Sequence, residues 1–138
     1  MAAQEHEIVY HCHITSVASI GLAIFRDKDC VEALSIPRLY HQNQTIKLVR
    51  EMISDTAAIP SDSLLMAVLN LVVQGGTVDD RILPECHPVS PLATAQNLHA
   101  YRRMTLVPEH TRAMHFLIKK KGCLNKIHIW GLAILLAT

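Results

Sequence analysis

Residues 8–25, IVYHCHITSVASIGLAIF, decide the fold, because apolar side chains occupy most helical positions in this stretch. A helix that is apolar on nearly every side lies inside a protein, so the stretch predicts a central helix against which the others pack. At 100° per residue, two imidazoles and a phenol share one stripe of this helix and lead into an apolar row. The stripe consists of His6, Tyr10, His13, Val17, Ile20 and Ile24.

The composition indicates one helical domain with an aliphatic core. The chain has 138 residues, which suffice for one modest core, so a single domain over residues 1–138 is expected. Half of the residues are hydrophobic but only 4% are aromatic, which suits packed helices. The formal net charge is +1, without the concentrated basic surface that drives phosphate binding, so no direct binding of nucleic acid is expected.

The cysteine spacing and the charges near the N-terminus indicate the cellular compartment of the protein. Four cysteines are widely spaced without a CxxC pair, and Glu5 and Glu7 stand where a secretory leader needs positive charge. Reduced thiols and a cytoplasmic protein are therefore expected.

Polar residues interrupt residues 8–25, and the apolar run at 127–137 is shorter than the roughly 20 residues that a bilayer requires, so no membrane span is expected. That apolar end needs cover, and a homodimer through the C-terminal helix would provide it.

Capping residues and prolines divide the rest of the chain into further helices, giving an all-α bundle of about five or six helices. The second helix is expected to turn Ile46, Val49, Met52 and Ile53 inward. The expected helix starts are Ser35 with Pro37, Ser61 with Asp62, Ser90 with Pro91, Val107 with Pro108, and about Asn125. The expected helix ends are Gly75 and Gly122. Residues 77–90 are expected to form a loop that acts as a lid or a partner contact.

Three stretches carry a family resemblance: SDSLLMAVL at residues 61–69, SPLATAQNL at 90–98, and residues 110–124, which end in KKKGCL. They resemble the helical regulatory domain of fungal zinc-cluster transcription factors of specialised metabolism, over about residues 40–130. The resemblance implies an α-helical fold and an ancestry in gene regulation. The chain departs from the family at Gly122-Cys123, where members usually have Gly-Gly, and it lacks the six-cysteine DNA-binding cluster. It is expected to be either a fragment or a short relative without the DNA-binding part.

Several chemistries find no support in the residue spacing. None of the nine histidines forms an HxxxH pair, since His11 and His13 are two apart while His110 and His115 are five apart. No GxSxG elbow occurs, and Gly75-Gly76 follows a predicted helix, whereas phosphate-binding loops precede one. We therefore expect no metal, no nucleotide and no other cofactor.

Polar groups within apolar helices are the remaining candidates for a site. Such groups either satisfy one another in the core or line a pocket that orients an apolar guest. A pocket of this kind suits a cofactor-free intramolecular cyclisation or isomerisation, which needs orientation and one or two hydrogen bonds. The catalytic candidates are His13, Gln96, His99 and His115, and the ligand-binding candidates are Tyr10, Thr15, Ser16, Val17, Ile20 and Asn70.

Two functions remain open at this point. The first is a stand-alone protein that binds an apolar metabolite and promotes its cyclisation or isomerisation. The second, which follows from the family resemblance, is the regulatory or dimerising domain of a transcription factor without catalytic activity. The second function would place the protein in the nucleus.

Overall fold

The computed structural model describes residues 2–25, 27–54, 57–74, 106–129 and 131–132. In these ranges the protein is all-α, as predicted, with four α-helices, a 3-10 turn and no strand. The predicted helix at Ser90 and the predicted loop at 77–90 lie outside the described residues, so the total of five or six helices stays a prediction. The helices are α1 (Ala2–Ile24), α2 (Lys28–Ser54), α3 (Asp62–Gln74) and α4 (Pro108–Lys121), and the 3-10 helix is Leu124–Lys126.

Helix α2 begins before the predicted start. Asp27 caps it, because its Oδ1 accepts a hydrogen bond from the backbone N–H of Cys30 at 2.9 Å. The prediction that Ser35 and Pro37 open this helix is therefore wrong, and Pro37 lies inside α2. The helix continues through the proline because the preceding turn packs closely on α1. Leu34 in that turn lies so near Gly21 of α1 that a Cβ added to Gly21 would be 2.7 Å from Leu34 Cδ1.

The core is aliphatic, as the composition predicts, and α3 lies in the middle of it. This helix contacts α1, α2 and α4. Leu65, Val68 and Leu71 are at most 2% exposed. The core side chains from all four helices and the C-terminal segment are Ile8, Cys12, Leu48, Val49, Leu64, Leu65, Ala67, Val68, Leu71, Val72, Met114, Leu117, Ile127 and Leu132.

Helix α1 is less enclosed than residues 8–25 predict. It packs antiparallel to α2 and also contacts α3. Most side chains on its inner face are small, which allows close approach of the neighbouring helices, and the bulkier stripe faces out. The inner face carries Ile8, Cys12, Thr15, Ser19 and Ala23, whereas His6, Tyr10, His13 and Val17 of the predicted stripe are exposed and Ile20 and Ile24 are half-buried.

The other predicted helix boundaries agree better with the structure. Ser61 Oγ accepts a hydrogen bond from the N–H of Leu64 at 3.2 Å and caps α3. Helix α4 starts at Pro108 and ends before Gly122, whose φ of 100° favours glycine. The last predicted helix does not begin at Asn125, because residues 124–126 form the 3-10 turn.

One described helix has the dimensions of a membrane span. Residues Ala3–Ile24 of α1 are long and apolar enough to cross a bilayer by length and composition, and 39% of the most apolar window is buried against the rest of the protein. A helix in a protein core meets the same criterion. The expected cytoplasmic location without a membrane contact stays a prediction.

Candidate functional site: a cleft and an imidazole pair

A cleft of about 140 Å³ opens between the start of α1, the end of α2, residues 58–61 and α4. Leu64 and Leu117 form its buried apolar part. Ile59 and Phe116 also line it, although 73% and 61% of these side chains are exposed. The remaining lining residues are Gln4, Glu5, Glu51, Met52, Ile53, Ala58, Pro60, Ser61 and Lys120. The cleft thus combines an apolar interior with a charged border.

An ion pair with little exposure to solvent lies beside the cleft and holds Pro60 of its lining. The ammonium of Lys121 lies 2.6 Å from Asp62 Oδ1 and donates a hydrogen bond to the carbonyl of Pro60 at 2.8 Å. Asp62 Oδ2 accepts hydrogen bonds from the N–H groups of His128 and Ile129 at 2.6 and 3.0 Å. Burial raises the pKa of Asp62, but the hydrogen bonds from Lys121 and the two amides outweigh it and bring the pKa below its ordinary value.

Two imidazoles meet where α1 crosses α2. His11 Nδ1 lies 2.7 Å from His41 Nδ1, and His11 is only 9% exposed. Glu7 Oε1 lies 3.9 Å from the other nitrogen of His11, Nε2. The rings of Tyr10 and Tyr40 pack edge-on around the pair. Burial, followed by the neighbouring His41, lowers the pKa of His11, and Glu7 partly opposes this change.

The imidazole pair results from a short sequence repeat. The order Tyr-His, three residues, Thr occurs at residues 10–15 and again at residues 40–45. In each helix the threonine hydroxyl donates to the carbonyl of the histidine four residues earlier, at 2.9 Å for both Thr15 and Thr45. Antiparallel packing then brings the two histidines together. This motif is the signal in the sequence that reveals the pair.

The described ligand-binding candidates lie apart from the cleft. Tyr10 and Val17 are 59% and 58% exposed. Thr15 is buried, and its hydroxyl bonds within α1. Ser16 and Asn70 join α1 to α3 through a hydrogen bond from Asn70 Nδ2 to Ser16 Oγ. The hydroxyl groups of Thr15 and Ser16 therefore have partners on α1 and α3, whereas Asn70 Oδ1 is buried without a hydrogen-bond partner among the described residues.

The structure places two of the four catalytic candidates. His13 and His115 are exposed on α1 and α4, and neither lines the cleft. Gln96 and His99 lie outside the described residues. The cleft itself had no signal in the sequence, because its lining comes from segments far apart in the chain.

The described residues contain no group of three or more histidine, cysteine or acidic side chains that could hold a metal ion. Cys12, Cys30 and Cys123 are free thiols, and burial raises the pKa of Cys12 to about 11. Comparison of the chain with protein family models, curated proteins and solved structures gives no match. The resemblance to fungal regulators therefore stays a prediction.

Proposed function

We propose that the chain is a regulatory binding module without catalytic activity, and that it receives the apolar end of a small molecule in the cleft. The observation that carries this proposal is the apolar interior between Leu64 and Leu117, bordered by the exposed side chains of Ile59 and Phe116. Exposed large apolar side chains beside a concave apolar surface are typical of binding sites. The resemblance to a regulatory domain supports the same function.

The size of the cleft limits its occupant. Its volume is about 140 Å³. An apolar cavity of about 150 Å³ holds benzene, whereas sites for drug-sized ligands occupy about 300–1,000 Å³. The cleft therefore suits a single ring or a short branched chain, with the rest of the ligand outside among Glu5, Glu51 and Lys120.

The same size argues against folding of a long polyene in this cleft. A cyclisation needs a site that encloses the reacting chain, and the described candidates His13 and His115 do not line the cleft. The other two candidates of the cyclase or isomerase hypothesis, Gln96 and His99, lie outside the described residues. Binding without catalysis requires only the cleft.

Toluene is a suitable probe for this proposal because a single ring with one methyl group matches the volume. Ligand-observed NMR should detect its binding to the wild-type chain. Ile59→Ser and Phe116→Ser should each weaken binding about fivefold, which corresponds to about 1 kcal/mol of lost apolar contact. Both side chains are exposed, so the fold should be retained.

Leu106→Ser is the matched control, because Leu106 is 64% exposed and does not line the cleft. This variant should bind toluene as the wild type does. Absence of binding to the wild type, or equal weakening by all three substitutions, would overturn the proposal.

A further inference from the structure

The imidazole pair holds together when it shares one proton. A hydrogen bond between His11 Nδ1 and His41 Nδ1, 2.7 Å apart, requires an N–H on one ring and a free lone pair on the other. When both rings are charged, two N–H groups face each other and the bond is lost. The charge repulsion then adds to the cost of burial.

Among the described residues, few other charged or titratable groups lie near the pair. From α1, Glu7 lies near His11, and Tyr10 packs against both imidazoles; from α2, Tyr40 does the same. Helix α3, which packs on α1, carries Asp62 as its ionisable residue, and Asp62 is bound to Lys121. Glu7 is exposed and 3.9 Å away, so it stabilises one added charge on His11 weakly.

The pair lies between the cleft and the far end of the α1–α2 hairpin. Gln4 and Glu5 of the cleft precede His11 by about two helical turns, and Glu51, Met52 and Ile53 follow His41 by about three turns. On the other side of the pair, Arg38 Nε donates to Ser19 Oγ at 2.9 Å and joins the same two helices. The imidazole contact therefore lies between the cleft and the Ser19–Arg38 contact, and the core side chains of Ile8, Leu48 and Val49 lie on its cleft side.

We infer that the His11–His41 pair is a proton-sensitive clamp that regulates the cleft. Double protonation separates the start of α1 from the end of α2 and weakens binding of the apolar ligand in acid. The ligand part of this inference rests on the proposed function, whereas the opening of the two helices can be measured without a ligand.

Cys12 reports the opening because it is 2% exposed and adjoins His11. In a chain with serine at Cys30, Cys86 and Cys123, a dipyridyl disulfide, which reacts with thiols in acid and in neutral solution, measures access to Cys12. A second chain that keeps only Cys123, which is exposed, corrects for the intrinsic effect of pH. The ratio of the two rates should rise about tenfold between about pH 7.5 and about pH 5.5.

The matched variants are His41→Gln and His13→Gln. Glutamine at position 41 can accept a hydrogen bond from a charged His11 or donate one to a neutral His11. The ratio of the Cys12 rate to the Cys123 rate should therefore become independent of pH. His11→Gln provides the same test from the other helix if His41→Gln does not fold. His13 is exposed on α1, so His13→Gln should keep the full response.

Toluene titrations at the same two pH values complete the experiment. A Cys12 ratio that does not change with pH in the wild type, or that changes equally in His41→Gln, overturns the clamp. A responsive Cys12 with toluene affinity equal at both pH values overturns the regulation of the cleft. Absence of toluene binding at about pH 7.5 overturns the proposed function and the ligand part of the inference, while the Cys12 rates still decide the clamp.

Discussion

Lys121 and Asp62 form an ion pair with an Nζ–Oδ1 distance of 2.6 Å, and only 8% and 14% of the two side chains are exposed. The pair joins the end of α4 to the start of α3. Lys121 belongs to a run of three lysines, for which the sequence predicts favourable contact with the helix dipole. The structure shows that the third lysine has a different role, because it lies on the buried row with Met114 and Leu117.

Replacement of Lys121 by methionine should destabilise the protein. The substitution leaves the Asp62 carboxylate, whose side chain is 14% exposed, without its cation, which costs about 3 kcal/mol in the free energy of unfolding. Urea denaturation measures the change. Lys119→Met is the matched control, since Lys119 is exposed on the same turn, and its effect should stay within about 0.5 kcal/mol. Equal effects of the two substitutions would contradict the structural role of Lys121.

The contribution of Asp62 should depend on pH. Its pKa in the folded protein is below the ordinary value of 3.8, so the carboxylate stabilises the fold above that value. This stabilisation is lost as the pH falls through the pKa that Asp62 has in the folded protein. The difference in free energy of unfolding between the wild type and Asp62→Asn should be largest near neutral pH and shrink below about pH 3.8. A difference that persists unchanged in acid would show that Asp62 does not act through its charge.

Pro37→Ala should stabilise the protein. Proline inside a helix removes one backbone hydrogen bond and costs about 3 kcal/mol, part of which is offset by its restriction of the unfolded chain, so a net gain of about 1–2 kcal/mol is expected. Thermal unfolding measures it. Ile36→Ala, at a neighbouring position that is 73% exposed, should be nearly neutral. A lower melting temperature for Pro37→Ala would mean that Pro37 gives α2 a shape on which its packing against the other helices depends.

Gly21 and Leu34 should be energetically coupled. A Cβ at position 21 meets Leu34 Cδ1 at 2.7 Å, so Gly21→Val should overpack the contact and cost about 1–3 kcal/mol. Leu34→Ala makes room, and the double variant should recover part of the loss. Additive destabilisation in a double-mutant cycle would show that the two side chains do not share this space.

Much of the fold follows from local sequence signals. Ser61 and Pro108 mark the starts of α3 and α4, and the stripe from Ile46 to Ile53 faces the core as predicted. The start of α2 could not be assigned from Pro37, because the capping side chain of Asp27 and the contact of Leu34 with Gly21 decide it. Local preference is overridden there by packing on α1.

The candidate site depends on contacts that a linear pattern does not encode. Glu5, Ile53, Ile59 and Phe116 belong to four segments, and only the packed helices bring them into one cleft. Periodicity correctly grouped Tyr10, His13 and Val17 on one face of α1. It could not say whether that face was inside, because the small residues on the opposite face are the ones that allow close packing.

The proposed clamp would take the close contact between Gly21 and Leu34 as the pivot of the α1–α2 hairpin. Along α1, His11 lies about 15 Å from Gly21 and Glu5 lies about 24 Å from it. A rotation about this pivot that widens the helix spacing by about 1 Å at His11 therefore moves the mouth of the cleft by about 1.6 Å, comparable to the radius of a water molecule. The two helices act as long arms, so a side chain far from the ligand can set the width of the opening.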